Sequence, residues 1–185
     1  MVDGIFEFAR SGGRPEPGAR ADLEEVVEQV VDEVRQAEAP EPPEIVVEPF
    51  APREVACARG VVASVLSNLT RNAAKFMRDS AHRRITVRVR DDGAMVRVEV
   101  EDTGPGVPLG LERIIFEPYA RAEGVTQPGL GLGLATVKRL CEAYGGAVGV
   151  RSSASRGATF WVTFPRAEAS AHASPESGAI PRHAS

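Results

Sequence analysis

From Asp22 to Ala37 the apolar residues Leu23, Val26, Val27, Val30, Val31 and Val34 recur at helical spacing, with Asp22 placed to cap the start. Pro40, Pro42 and Pro43 end that helix, and Ile45 to Glu48 reads as a short strand. Pro52 is expected to open a long helix to about Met77, with Val55, Val62, Leu66, Leu69, Ala73 and Phe76 along one stripe. Ile85, Val87 and Val89 then alternate with polar residues, Asp92-Gly93 makes a tight turn, and Val96, Val98 and Val100 alternate in their turn. This is a hairpin with one wet face, lined by arginines and glutamates.

An irregular stretch runs from DTGPGVP to Pro128. Gly129, Gly131 and Gly133 then introduce a helix from about Leu134 to Tyr144, which Gly145-Gly146 ends. Ala147 to Arg151 and Thr159 to Phe164 form a second hairpin around SSASRG. Hairpins separated by helices predict an α/β two-layer sandwich: a mixed, mainly antiparallel sheet with helices packed on one face. Residues 11 to 20, SGGRPEPGAR, are a Gly/Pro break, and residues 166–185 lack apolar periodicity and are expected to be disordered.

Composition narrows the function. The 185 residues are 43% hydrophobic, enough for one core, and 26 acidic residues against 22 basic ones argue against a general nucleic-acid binder. The longest apolar stretches, such as Val61 to Leu66, fall far short of the roughly 20 residues of a membrane span. With no export signal at the start either, a cytoplasmic location and no membrane contact are expected. Cys57 and Cys141 lack metal-ligand spacing and read as buried, reduced thiols. Lys75 and Lys138 are the two lysines of an arginine-rich chain.

Three segments carry candidate chemistry. Asn68, Asn72 and Lys75 share one stripe of the long helix; two amide oxygens can complete a magnesium shell, and an ammonium can meet a phosphate. In EDTGPGVP, Asp102 sits at a strand end where it could accept the exocyclic amine of a purine, with Gly104 and Gly106 permitting close backbone approach. In PGLGLGLATVK, Gly129, Gly131 and Gly133 stand before a helix whose first N–H groups suit a polyphosphate. That run lacks the GKS/T ending of a P-loop and does not follow a strand directly, as a dinucleotide fingerprint must.

Taken in order, NLTRNAAKF, DTGPG, FEPY, GLGLGL and GGAVGVRSSASRGATFWVTFP resemble the ATP-binding catalytic domain of bacterial sensor histidine kinases, in the superfamily of gyrase-type and Hsp90-type ATPases. The resemblance covers about Asp22 to Pro165 and implies the Bergerat version of the sandwich. By it, Asn68 and Asn72 would bind magnesium and phosphates, Lys75 a phosphate, and Asp102 the adenine amine, with Gly104 and Gly106 beneath the base. Phe116 to Tyr119 would form the hinge of an ATP lid running from about Val107 to Pro128, with Phe116 and Tyr119 beside the nucleotide. Gly129, Leu130, Gly131, Leu132, Gly133 and Leu134 would surround the phosphates, Thr159 would join the nucleotide site, and Arg121 of the lid would face the γ-phosphate. ATP and Mg2+ are the implied ligands. Ser64 stands where the superfamily's hydrolases keep a water-activating glutamate, which favours phosphoryl transfer over hydrolysis.

The three histidines, His82, His172 and His183, sit in no acceptor context. IFEFAR resembles the last turn of a dimerisation hairpin. The expected division is therefore 1–20, hairpin remnant and linker; 21–165, catalytic domain; 166–185, tail. The acceptor histidine would lie upstream and a response regulator receiver domain would act downstream, while this piece itself would be monomeric. A serine kinase of the anti-sigma type and a degenerate nucleotide-binding scaffold are the alternative readings.

Overall fold

The computed structural model describes residues 15–51, 53–120, 131–152 and 157–167. Asp22 caps the first helix, α1 (Leu23–Ala37), its carboxylate accepting the N–H groups of Glu24 at 2.7 Å and Glu25 at 3.4 Å. The valine stripe is buried as the spacing predicts. It packs with the long helix α2 (Arg59–Phe76) in one hydrophobic core against a five-stranded sheet.

In chain order the sheet strands are β2 (Glu44–Val47), β4 (Arg84–Asp92), β5 (Met95–Asp102), β6 (Val148–Ser152) and β7 (Ala158–Pro165). Across the sheet they run β2-β4-β5-β7-β6, with β2 parallel to β4 and the other pairs antiparallel. The last helix, α3 (Gly133–Ala143), joins α2 on the covered face. This is the mixed, mainly antiparallel two-layer sandwich that the alternation predicts.

Two expectations need correcting. The long helix begins at Arg59, seven residues after Pro52, because the intervening backbone is used elsewhere. Glu54–Val55 (β3) pairs with Ala21–Asp22 (β1) as a two-stranded ribbon, Arg53 O accepts from Leu23 N, and Ala56 N donates to Pro165 O. Nor is the outer face of the sheet simply wet. Glu99 is 6% exposed and Thr163 7%, Arg151 reaches Glu99 at 2.8 Å, Arg97 stacks 4.0 Å above the Trp161 ring, and Arg88 bridges Glu48 and Glu101. Paired arginines and a tryptophan cover carboxylates that alternation alone assigns to solvent.

At the end of β7, Arg166 bridges Val55 and Ala167 N donates to Glu54 O, so the fold extends two residues past Pro165. The expected tail beyond 167 and the hairpin remnant before residue 15 lie outside the described residues. Both cysteines are free and buried, and burial pushes the Cys57 thiol up to about 12.

Candidate active site

Asn68 and Asn72 lie half-buried on α2, one turn apart. Asn68 spends its Nδ2 on the Ser64 carbonyl at 2.8 Å, which fixes the amide's orientation, since only the nitrogen can donate. Its Oδ1 faces α3: a Cβ built on Gly133 would sit 3.0 Å from that oxygen and 3.8 Å from Asn72 Nδ2. Glycine at the first position of α3 thus lets that helix start directly against the amide stripe. Leu132, which precedes it, offers no side-chain cap, so the opening N–H groups of α3 have no partner from that side chain. Lys75 lies one turn further along α2, its Nζ 4.9 Å over the Phe76 ring.

The other end of the site is built where β5 meets the C-terminus of α2. Asp102 is 4% exposed, and its Oδ1 accepts Gly104 N at 2.9 Å and Ala158 N at 3.4 Å. No described residue donates to Oδ2. Burial pushes this carboxyl above the usual carboxylate range, against the two N–H groups that pull it down. A Cβ on Gly104 would lie 2.9 Å from Asp102 Oδ1, 3.3 Å from Met77 Cγ and 3.6 Å from Phe76 O. The Asp102 turn therefore seats on α2 eight positions beyond Asn68, about 12 Å away along the helix at 1.5 Å per residue.

Between the two ends, Phe116 closes a 3₁₀ turn (Ile114–Phe116), is 6% exposed and meets Phe160 edge-on with ring centroids 6.4 Å apart. Glu117 pairs with Lys138 of α3 at 2.8 Å, tying FEPY to the glycine-led helix. Tyr119 N donates to Gly131 O, and both residues hold positive φ, +62° and +69°. A Cβ on Gly131 would lie 2.9 Å from Ala120 O, so this closed neck demands glycine. Leu132 is 37% exposed, Leu134 packs on the core, and Gly106 takes a φ of +80° in the Asp102 turn. Arg121, Gly129 and Leu130 lie outside the described residues.

Thr159 stands one position past the residue paired with Asp102, on the alternate face of β7. It pairs with Glu101 and Arg151, while its neighbour Ala158 pairs with Asp102 and shares the inward face with Phe160. Ala158 and Gly157 are the residues that lie against Asp102; a Cβ on Gly157 would meet Asp102 O at 1.9 Å. The parity of Phe160, Val162 and Phe164 carries that information, since it turns residue 158 inward and residue 159 outward. Met77 was also missed as the seat of the Asp102 turn. Ser64 is 2% exposed, and its Oγ has no partner among the described residues.

A family model described as histidine kinase-, DNA gyrase B-, and HSP90-like ATPase matches residues 59–168, from the first residue of α2 to just past β7. The chain belongs to this family. Its members among the relatives include the sensor histidine kinase AruS of Pseudomonas aeruginosa, 40% identical over 133 residues that cover 69% of this chain and 13% of AruS. The sensory/regulatory protein RpfC of Xanthomonas campestris is 37% identical over 112 residues, 56% of this chain and 15% of RpfC. Among solved structures, full-length ShkA in complex with AMPPNP superposes with a TM-score of 0.72 at 32% identity, covering 91% of this chain and 35% of that one. The chain thus spans about one-seventh of the length of the curated relatives described here. The matched region holds every site residue named above.

Proposed function

We propose that this chain is the ATP-binding catalytic domain of a sensor histidine kinase, which passes the γ-phosphoryl of ATP to a histidine on a dimerisation hairpin preceding residue 21. What carries the reading is the pairing along one side of α2. Asn68 Oδ1 meets an uncapped, glycine-led helix start at one end, and a buried carboxylate with an oxygen to spare lies about 12 Å further on. The likeness to the sensor histidine kinase AruS favours a histidine acceptor over the serine of the anti-sigma kinases. The AMPPNP bound by ShkA supports an adenine nucleotide here.

The residues divide the work. Asp102 Oδ2 accepts the exocyclic amine of the base, and Gly104 keeps the floor beneath it open. The first N–H groups of α3 hold phosphate oxygens at the positive end of the helix dipole. Asn68 and Asn72 offer amide oxygens to a magnesium ion, which would neutralise charge on the phosphates. Magnesium needs few protein oxygens where phosphates and waters fill the rest of its shell, a demand that two amide oxygens fit. Ser64 brings no carboxylate to the stripe, so nothing at that position activates water. Catalysis is then positioning and charge stabilisation rather than acid–base work by this domain.

The test is phosphotransfer. The 185-residue chain, mixed with a histidine-bearing hairpin from the same gene and γ-labelled ATP, is expected to give an acid-labile phosphohistidine. Steady-state phosphate release by the chain alone should stay slow. Rapid release without transfer would overturn the reading.

A further inference from the structure

A cavity of about 410 Å3 opens beside the Asp102 turn, lined by Glu44, Ala81, His82, Arg83, Arg84 and Thr103. None of the nucleotide-site residues lines it, so it is a separate place. Three of its six wall residues are basic and one is acidic. Arg83 bonds the Glu41 carbonyl and Glu38, both at 2.8 Å, but its Nε is shielded from solvent and has no acceptor among the described residues. Its terminal nitrogens are thus spent within the fold and its Nε is out of a ligand's reach, so Arg84 is the guanidinium of this wall that can meet one. The Arg84–Glu44 pair, at 2.8 Å, has both side chains more than half exposed, so a ligand oxygen can replace Glu44 on that guanidinium at little cost.

Thr103 joins this wall to the nucleotide site. Its Oγ1 donates to His82 O at 2.6 Å and accepts Arg84 N at 3.0 Å, and its N–H reaches Arg84 O and Met77 Sδ. On either side of it in the chain stand Asp102 and Gly104. We propose that the cavity is an oxyanion site for a small molecule bearing carboxylate or phosphate, and that its occupancy tightens nucleotide binding through Thr103. A ligand spanning His82 and Arg84 holds Thr103, and with it the Asp102 turn, before the base arrives. The coupling rests on the function proposed above; the binding itself does not.

The experiment titrates succinate and, separately, inorganic phosphate into the isotope-labelled, magnesium-free chain and follows backbone amide resonances. Saturable shifts at Arg84 and Thr103 are expected, and they should be lost in the exposed-site variants Arg84→Ala and His82→Ala. Saturation by only one probe identifies the oxyanion chemistry that the site takes. Shifts that grow linearly, that persist in both variants, or that centre on Gly131 and Gly133 would overturn the site. With the cavity filled, affinity for an adenine nucleotide should rise at least about fivefold. Unchanged affinity despite saturable shifts at Arg84 and Thr103 would overturn the coupling. Absence of nucleotide binding with those shifts intact would instead strike the proposed function.

Discussion

Asp102 is held where folding and binding make opposite demands. Burial favours its neutral form, whereas the proposed hold on a purine amine is stronger from the carboxylate. Because its folded-state value is raised, the stability it contributes is fully present below the unfolded value and is lost as pH rises through the folded one. Asp102→Asn keeps an oxygen for Gly104 N and removes the buried charge. Its melting temperature should therefore overtake the parent's as pH is raised from about 4 to 7. Its affinity for adenine nucleotide should fall at least about tenfold. Melts across that range, with calorimetry at neutral pH, check both; a variant that binds as tightly as the parent would remove Asp102 from the base site.

At the level of elements, the meeting of α3 with α2 is the part most open to a single methyl group. Gly133→Ala restricts the unfolded chain, which stabilises a fold by about 0.4–1 kcal/mol where the native backbone suits alanine. The added Cβ falls 3.0 Å from Asn68 Oδ1, however, so the amide must move by a few tenths of an ångström. The expected outcome is a fold at least as stable as the parent with magnesium-dependent nucleotide affinity down about tenfold. Calorimetry with and without magnesium reads the split, and equal losses in both conditions would argue against Asn68 as a metal partner. The same scale shows what periodicity can reveal. α1 and the hairpin of β4 and β5 are legible because one face of each is buried and the spacing records it. The start of α2 is not, since Glu54–Val55 owes its strand to partners at Ala21–Asp22, far away in sequence. The glycine and asparagine motifs mark residues that the fold brings together at Gly133 and Asn68, while the register that sets Ala158 and not Thr159 opposite Asp102 is not legible from the sequence alone. Arg83 and Arg84 look like ordinary strand arginines until the fold sets them around a cavity.

For the whole molecule, the candidate site draws on α2, β5, β7, the 3₁₀ turn and α3, so a nucleotide that bridges them must stabilise the fold as a unit. Binding confined to the native state adds about 2.7 kcal/mol at a hundredfold excess over Kd. For a domain of this size that is a rise in Tm of roughly 5–10 °C. Thermal melts with ATP and magnesium should show it, and Asp102→Asn should lose at least about half of it. An equal rise in that variant would place the ligand elsewhere.

The ribbon of β1 and β3 has a consequence for architecture. Ala21 pairs with Val55, and Ala167 N bonds Glu54 O, so the chain comes into the fold and leaves it at one spot. A body tethered on a single side can be spliced between unlike neighbours without either reaching around it. Such a layout suits a swappable cassette, one whose upstream and downstream attachments are free to change while its interior stays the same.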